Sequence, residues 1–176
     1  MSSGAGERVT VLSRTLPVCP DPVELYAEAC DGGRRADTLL FESADQSQKS
    51  GDKSLIMTRA ALRLACRGQE VEIEALTPNG KSALGWLPAK LAGRAEIARD
   101  GDRLLARFPD RETGSERERL TAASVLDAVR AAVLELEVSG EPVVPPLGMG
   151  SVSYDLLGVY VALPEAKDDP CGWPAL

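Results

Sequence analysis

Apolar positions recur along this chain in short blocks whose spacing switches between two and nearly four residues, which predicts strands interleaved with helices. Val9–Leu12 alternates apolar and polar residues and predicts a short strand. A helix follows at Asp21-Pro22-Val23-Glu24. Asp21 is a good N-cap, Pro22 suits the first helical position because it has no N–H to leave unpaired, and Glu24 completes a capping-box-like pattern. This helix is expected to run to about Cys30, to bury Val23, Tyr26 and Ala27 on one face, and to stop at Asp31-Gly32-Gly33. Thr38–Glu42 is apolar between polar neighbours and predicts a buried strand. Ser43–Lys53, rich in Ser, Asp and Gly, predicts a loop, after which the apolar pattern resumes at Leu55–Met57.

The strongest strand signal lies further on. Ala61–Arg67, the pair Gly68-Gln69 and Glu70–Leu76 predict a β-hairpin, in which Val71, Ile73 and Ala75 face a core while Glu70, Glu72 and Glu74 face water. Pro78-Asn79-Gly80 predicts a turn, and Ser82–Leu91 a short helix interrupted by Pro88. Asp100-Gly101-Asp102 turns into a strand over Leu104–Phe108, and the charged stretch Asp110–Arg119 predicts a mobile surface loop. Ser124–Glu137 is the clearest helix. Ser124 and Asp127 form an acidic variant of the capping box, and Val125, Ala128, Val129, Ala132, Val133 and Leu136 recur at helical spacing. Glu141–Pro146 then breaks the chain. Antiparallel strands with helices inserted between them define an α+β fold with a mostly antiparallel sheet, and there is no internal repeat.

Composition narrows the function. Of 176 residues, 44% are apolar and 27% charged, which is ordinary for a globular domain and unlike a disordered chain. A net charge of −7 repels phosphate backbones and anionic lipid, so neither nucleic acid nor membrane is an expected partner. No apolar run approaches the roughly 20 residues that cross a bilayer, and the start lacks the basic-then-apolar order of a secretory signal, so the cytoplasm is the expected compartment. Cys19, Cys30, Cys66 and Cys171 are too irregularly spaced for a zinc site and are expected to be reduced thiols. The chain contains no His, which removes Ser-His and Cys-His catalysis.

Two clusters invite a chemical reading and are better explained structurally. Gly148-x-Gly150 lacks the third glycine of a dinucleotide fingerprint and the ending of a P-loop. Glu70, Glu72 and Glu74 stand in a row without complementary metal ligands nearby, as a solvated strand face does. The segment around residue 42 differs. Glu42 and Ser43 place a carboxylate and a hydroxyl at a strand end, and Lys53 follows 11 positions after Glu42 across a polar loop. A free amino acid needs a carboxylate for its ammonium, a cation for its carboxylate and a hydroxyl or backbone group to orient it. These three residues supply that set.

Leu39-Leu40-Phe41-Glu42-Ser43-Ala44-Asp45, the spacing to Lys53-Ser54-Leu55, Ala61–Leu64, Ser124–Arg130, Ser153–Leu157 and Leu163-Pro164 together resemble the N-terminal domain of anthranilate synthase component I. The blocks keep that family's order from about Pro22 to Pro164. The resemblance implies the N-terminal α+β fold of that family, with a segment 1–20, a tryptophan-sensing domain 21–164 and an irregular tail 165–176. It also implies that Glu42, Ser43 and Lys53 line half of the feedback site for L-tryptophan. In the complete enzyme, chorismate loses pyruvate and gains an amino group from ammonia that a glutamine amidotransferase subunit delivers. The Mg²⁺ and chorismate ligands belong to a C-terminal domain with no counterpart among these residues. The expectation is therefore a chain inactive by itself, with no catalytic residue and no metal or other cofactor of its own, and a possible separate chorismate-binding chain. The alternatives are the N-terminal domain of aminodeoxychorismate synthase component I of the folate pathway, a standalone interaction module without catalysis, and an α+β domain with no ligand.

Overall fold

A computed structural model describes residues 8–17, 20–42, 54–109, 116–140, 146–153 and 156, the side chains of residues 116, 119 and 120 excepted. The chain divides into two compact units, Arg14–Ala61 and a second unit made of Met1–Ser13 with Leu62–Leu176. In chain order the elements are β1 (Arg8–Thr10), α1 (Pro22–Ala29), β2 (Leu39–Glu42), β3 (Ser54–Met57), β4 (Leu62–Arg67), β5 (Glu70–Ala75), α2 (Pro78–Leu91), β6 (Glu96–Asp100), β7 (Arg103–Arg107), α3 (Glu116–Thr121), α4 (Leu126–Val129), a π-helical turn (Arg130–Leu134) and β8 (Glu137–Ser139). The fold is α+β with a mostly antiparallel sheet, as the patterning predicts.

The larger unit is built on an antiparallel sheet of order β4-β5-β7-β6. Register places Leu64, Ile73 and Leu104 side by side, and Cys66, Val71 and Ala106 in the next row of the same face. That face packs with Ala83, Leu84, Leu87 and Leu91 of α2 and with Val125, Ala128 and Ala131 in one buried cluster. Val71 and Ile73 are fully buried while Glu72 is exposed, so the alternation predicted for the hairpin is observed. The opposite face is a grid of charge: Arg63, Glu74, Arg103 and Asp100 form one cross-strand row, and Arg67, Glu70, Arg107 and Glu96 another.

Helix α2 begins four residues before the helix expected at Ser82 and is not interrupted. Thr77 acts as N-cap, its Oγ1 accepting from the Gly80 N–H at 3.2 Å, and Pro78 occupies the first turn. The Pro-Asn-Gly signal for a turn is thus overridden by a cap one residue upstream. Pro88 leaves a backbone acceptor without its usual donor, yet Leu84, Leu87 and Leu91 are all fully buried around it, and their burial holds the helix together.

The predicted Ser124–Glu137 helix begins only at Leu126, with Val125 at the N-cap position, and ends early. The Asp127 carboxylate accepts from the Ser124 backbone N–H at 2.7 Å, which is the reciprocal half of the predicted capping box. The helix then widens into a π turn, with the Glu135 N–H donating to the Arg130 carbonyl at 2.9 Å, and stops. Glu137–Ser139 instead pairs in parallel with β1. Gly140 closes this ribbon at φ +96°, where a Cβ would lie 2.6 Å from the Val11 carbonyl oxygen. Residues 116–119, the end of the stretch expected to be loop, belong to α3, and residues 110–115 lie outside the described residues. The turn at Gly101 joins β7 to β6, an edge strand that sequence reading misses because Ile97 is its only large apolar residue.

In the smaller unit α1 packs against β2 and β3. Its inner face is not the one expected. Val23 is 51% exposed and Ala27 is exposed, whereas Pro22, Tyr26 and Ala29 are half-buried and Cys30 is buried. Positions 22, 26, 29 and 30 share one helical face, and Val23 and Ala27 lie about 100° round from it. Strand β2 is likewise not buried: Leu39 and Leu40 are half-buried and Phe41 is 50% exposed, because a two-stranded ribbon has too few neighbours to cover both faces.

Candidate functional site

The candidate site belongs to the unit Arg14–Ala61, and local chemistry sets its frame. Asp21 Oδ1 accepts from the N–H groups of Val23 at 2.9 Å and Glu24 at 3.0 Å, which starts α1 as the sequence predicts. The helix ends at Asp31, in the left-handed region at φ 53°, with the Gly32 N–H donating to the Ala27 carbonyl at 2.7 Å. Thr38 Oγ1 donates to the Arg35 carbonyl at 2.7 Å, and the Tyr26 hydroxyl meets the same oxygen at 3.0 Å. These bonds fix the entry to β2 against α1.

Strands β2 and β3 pair in the register Leu39↔Met57, Leu40↔Ile56, Phe41↔Leu55 and Glu42↔Ser54. Residues directly opposite in an antiparallel pair share a face. Glu42 and Ser54 therefore stand together with Leu40 and Ile56 on one face, and Phe41, Leu55, Leu39 and Met57 on the other. Glu42 and Ser54 are exposed, and Leu40 and Ile56 are half-buried. At its far end this face presents a carboxylate and a hydroxyl, and next to them aliphatic surface.

Of the three residues singled out by sequence, Glu42 is placed here. Ser43 and Lys53 lie outside the described residues; they are the next residues along the chain from Glu42 and from Ser54. Ser54 was missed, although it lies inside the Lys53-Ser54-Leu55 block. Its signal is the register, which sequence does not show.

The other chemical clusters have structural partners. The Glu74 carboxylate pairs with Arg63 at 2.9 Å and Arg103 at 3.1 Å, Glu72 with Arg103 at 3.0 Å, and Glu70 accepts from Arg107 Nε at 2.7 Å. The row of glutamates is thus one column of a charge grid. Arg94 donates to Glu135 at 2.6 Å, and that hydrogen bond, with the charge behind it, holds the guanidinium above its ordinary range. Lys90 Nζ donates to the Glu135 carbonyl at 2.8 Å, so both contacts tie the end of α2 to the end of the π turn. Cys30 and Cys66 are free and buried; Cys19 and Cys171 lie outside the described residues. Among the described residues no group of three or more His, Cys, Asp or Glu side chains is placed to hold a metal ion, and no helix is long and apolar enough to cross a membrane.

Fold and ribbon together define a two-unit α+β protein whose ribbon end carries a carboxylate opposite a hydroxyl. No protein-family model matches the chain. Curated proteins do. It is 31% identical over 160 residues to anthranilate synthase component 1 of Vibrio parahaemolyticus, covering 90% of this chain and 29% of that protein. To the protein of the same name in Escherichia coli it is 35% identical over 146 residues, covering 82% and 28%. To anthranilate synthase component 1, pyocyanine specific, of Pseudomonas aeruginosa it is 30% identical over 167 residues, covering 94% and 30%. The chain is a homologue of anthranilate synthase component 1, and it spans about 30% of the length of the curated relatives it matches.

Proposed function

We propose that this chain is the N-terminal, effector-sensing portion of an anthranilate synthase large component, and that it binds L-tryptophan through Glu42, Ser43 and Lys53. The observation that carries the reading is the end of the β2–β3 ribbon. Glu42 and Ser54 close it as an opposed pair, and the segment between them carries both Ser43 and Lys53. Carboxylate, hydroxyl and cation complement the two charges of a zwitterion, and the half-buried Leu40 and Ile56 complement its apolar side chain. Glu42 faces the ammonium and Lys53 the carboxylate.

In this reading the chain works with a chorismate-binding catalytic domain, on the same polypeptide or on another, and with a glutamine amidotransferase that supplies ammonia. Mg²⁺ enters with that catalytic domain. The compartment is the cytoplasm, in keeping with the free thiols of Cys30 and Cys66.

The test joins residues 1–164 to a complete catalytic domain from a relative. Ser43→Phe should raise the tryptophan concentration giving half-inhibition by tenfold or more, about 1.4 kcal/mol per decade, while turnover of chorismate persists. Equal inhibition of parent and variant overturns the assignment.

A further inference from the structure

We propose that the outer face of the sheet β4-β5-β7-β6 is a self-association surface, on which a second copy of this chain docks about a twofold axis. That face carries two cross-strand rows of charge. In each row the sign alternates from strand to strand: arginine on β4, glutamate on β5, arginine on β7 and a carboxylate on β6. A twofold axis that runs along the strands between β5 and β7 lays β4 on β6, and β5 on β7, of the second copy. Reversing an alternating row of even length exchanges its signs. Glu74 then meets Arg103 of the second copy, Glu70 meets Arg107, and Arg63 and Arg67 meet Asp100 and Glu96. An axis across the strands would exchange the two rows instead and set arginine on arginine, so the pattern selects one dimer.

Within one copy Arg103 already holds Glu74 at 3.1 Å, and Arg107 Nε donates to Glu70 at 2.7 Å. Two copies turn each of these pairs into a square of alternating charge, and exposed ion pairs stabilise most as networks. Between the rows Ala65 and Ala98 leave space for the long side chains, and the half-buried Leu105 supplies apolar contact. Net charge points the same way. The chain carries −7, whereas this face sets four arginines against five carboxylates and is close to neutral, so two copies repel least here. Four strands about 4.8 Å apart, with about five residues each at roughly 3.3 Å, present roughly 300 Å² per copy, below the roughly 800 Å² of a standard interface. The dimer is therefore weak and reversible, with a dissociation constant of about 0.1 mM.

Sedimentation of the 176-residue chain measures it. At about 0.1 M salt the parent should pass from monomer to dimer between about 10 µM and 1 mM. Arg103→Glu sets like charges on both symmetry-related contacts and should weaken dimerisation tenfold or more, and Glu74→Lys should do the same. Mixed in equal amounts, these two variants should form a heterodimer as tight as the parent's, because each acid again meets a base. Arg107→Glu with Glu70→Lys repeats the test in the other row, should either of the first two fail to fold. Glu28→Lys, an exposed change on α1 that alters net charge as Glu74→Lys does, should leave dimerisation in place. A parent that stays monomeric at about 1 mM overturns the proposal. So do charge-reversed variants that dimerise as the parent does, or that fail to pair when mixed.

Discussion

The buried Asp127 carboxylate accepts a hydrogen bond from the backbone N–H of Ser124 at 2.7 Å, three residues upstream, and Arg130 donates to its other oxygen at 3.2 Å. One side chain thus starts α4, neutralises a helix N-terminus and holds a cation from the following turn. Arg94 approaches the same oxygen at 3.9 Å, which adds a weaker attraction from beyond α2. Asp127→Ala should cost about 1.5–3 kcal/mol, the range for hydrogen bonds to charged groups. Asp127→Asn, which keeps an acceptor, should cost less. Urea midpoints at constant m-value measure both. A loss below about 0.5 kcal/mol for the alanine variant would reduce Asp127 to a surface charge.

The hairpin β4–β5 gives a test of register. Ile73 is fully buried between Leu64 and Leu104, and the neighbouring Glu72 points outward to Arg103 at 3.0 Å. Ile73→Ala should cost about 2–5 kcal/mol through lost burial and an unfilled cavity. Glu72→Gln should stay within about 0.5 kcal/mol, since an exposed ion pair contributes little. Urea unfolding of the two variants in the reverse order would require a strand slipped by one residue.

Legibility followed the number of independent signals at each place. The hairpin was readable because strict alternation and a Gly-containing turn coincide at Glu70–Ala75 and Gly68. The caps at Asp21 and Ser124 were readable because they involve contacts three residues apart or closer. What failed depended on distant partners. Ser82 looked like a helix start until Thr77 captured the Gly80 N–H, and Pro88 looked like a break until the sheet buried the leucines around it. The helix over Ser124–Glu137 lost its last residues to pairing with β1, more than 120 positions away. At the candidate site, Glu42 was legible as a charged residue closing an apolar block. Ser54 was not, because only strand pairing sets it opposite Glu42.

Cys66 is fully buried, its Sγ donates to the Gly68 carbonyl at 3.4 Å, and burial pushes the thiol above its ordinary value. In the unfolded chain this thiol ionises from about pH 8.5, while in the folded chain it stays protonated to higher pH. The folded state then binds more protons, so the stability tied to Cys66 is fully present below the unfolded value and is lost as pH rises through the folded one. Comparison with Cys66→Ala isolates the effect, because all other titrations cancel. Between pH 7.5 and 10 the parent should lose more stability than the variant, by up to about 1.4 kcal/mol per pH unit above the unfolded value. Parallel urea midpoints for the two proteins across that range would contradict a shielded thiol.

Charge, not shape, should decide the effect of substitutions at Glu42. Glu42 ends β2, exposed, with Ser54 as its cross-strand neighbour. If its carboxylate meets the ammonium of tryptophan, Glu42→Gln keeps the size and one acceptor but removes the countercharge. Removing one partner of a desolvated charge pair costs about 2–5 kcal/mol, much of it the penalty of leaving the other charge unpaired. In the chimera of residues 1–164 with a catalytic domain, the half-inhibitory tryptophan concentration should therefore rise by tenfold or more. Chorismate turnover without tryptophan should be unchanged, because the proposal seats chorismate elsewhere. Glu24→Gln is the matched control: Glu24 is also an exposed carboxylate of the same unit, on α1 and not on the ribbon. It should leave inhibition as it is. The two variants give the whole enzyme the same change in net charge, so a long-range effect would move both and a direct contact only one. Inhibition curves for Glu42→Gln and Glu24→Gln that shift together would remove Glu42 from the site.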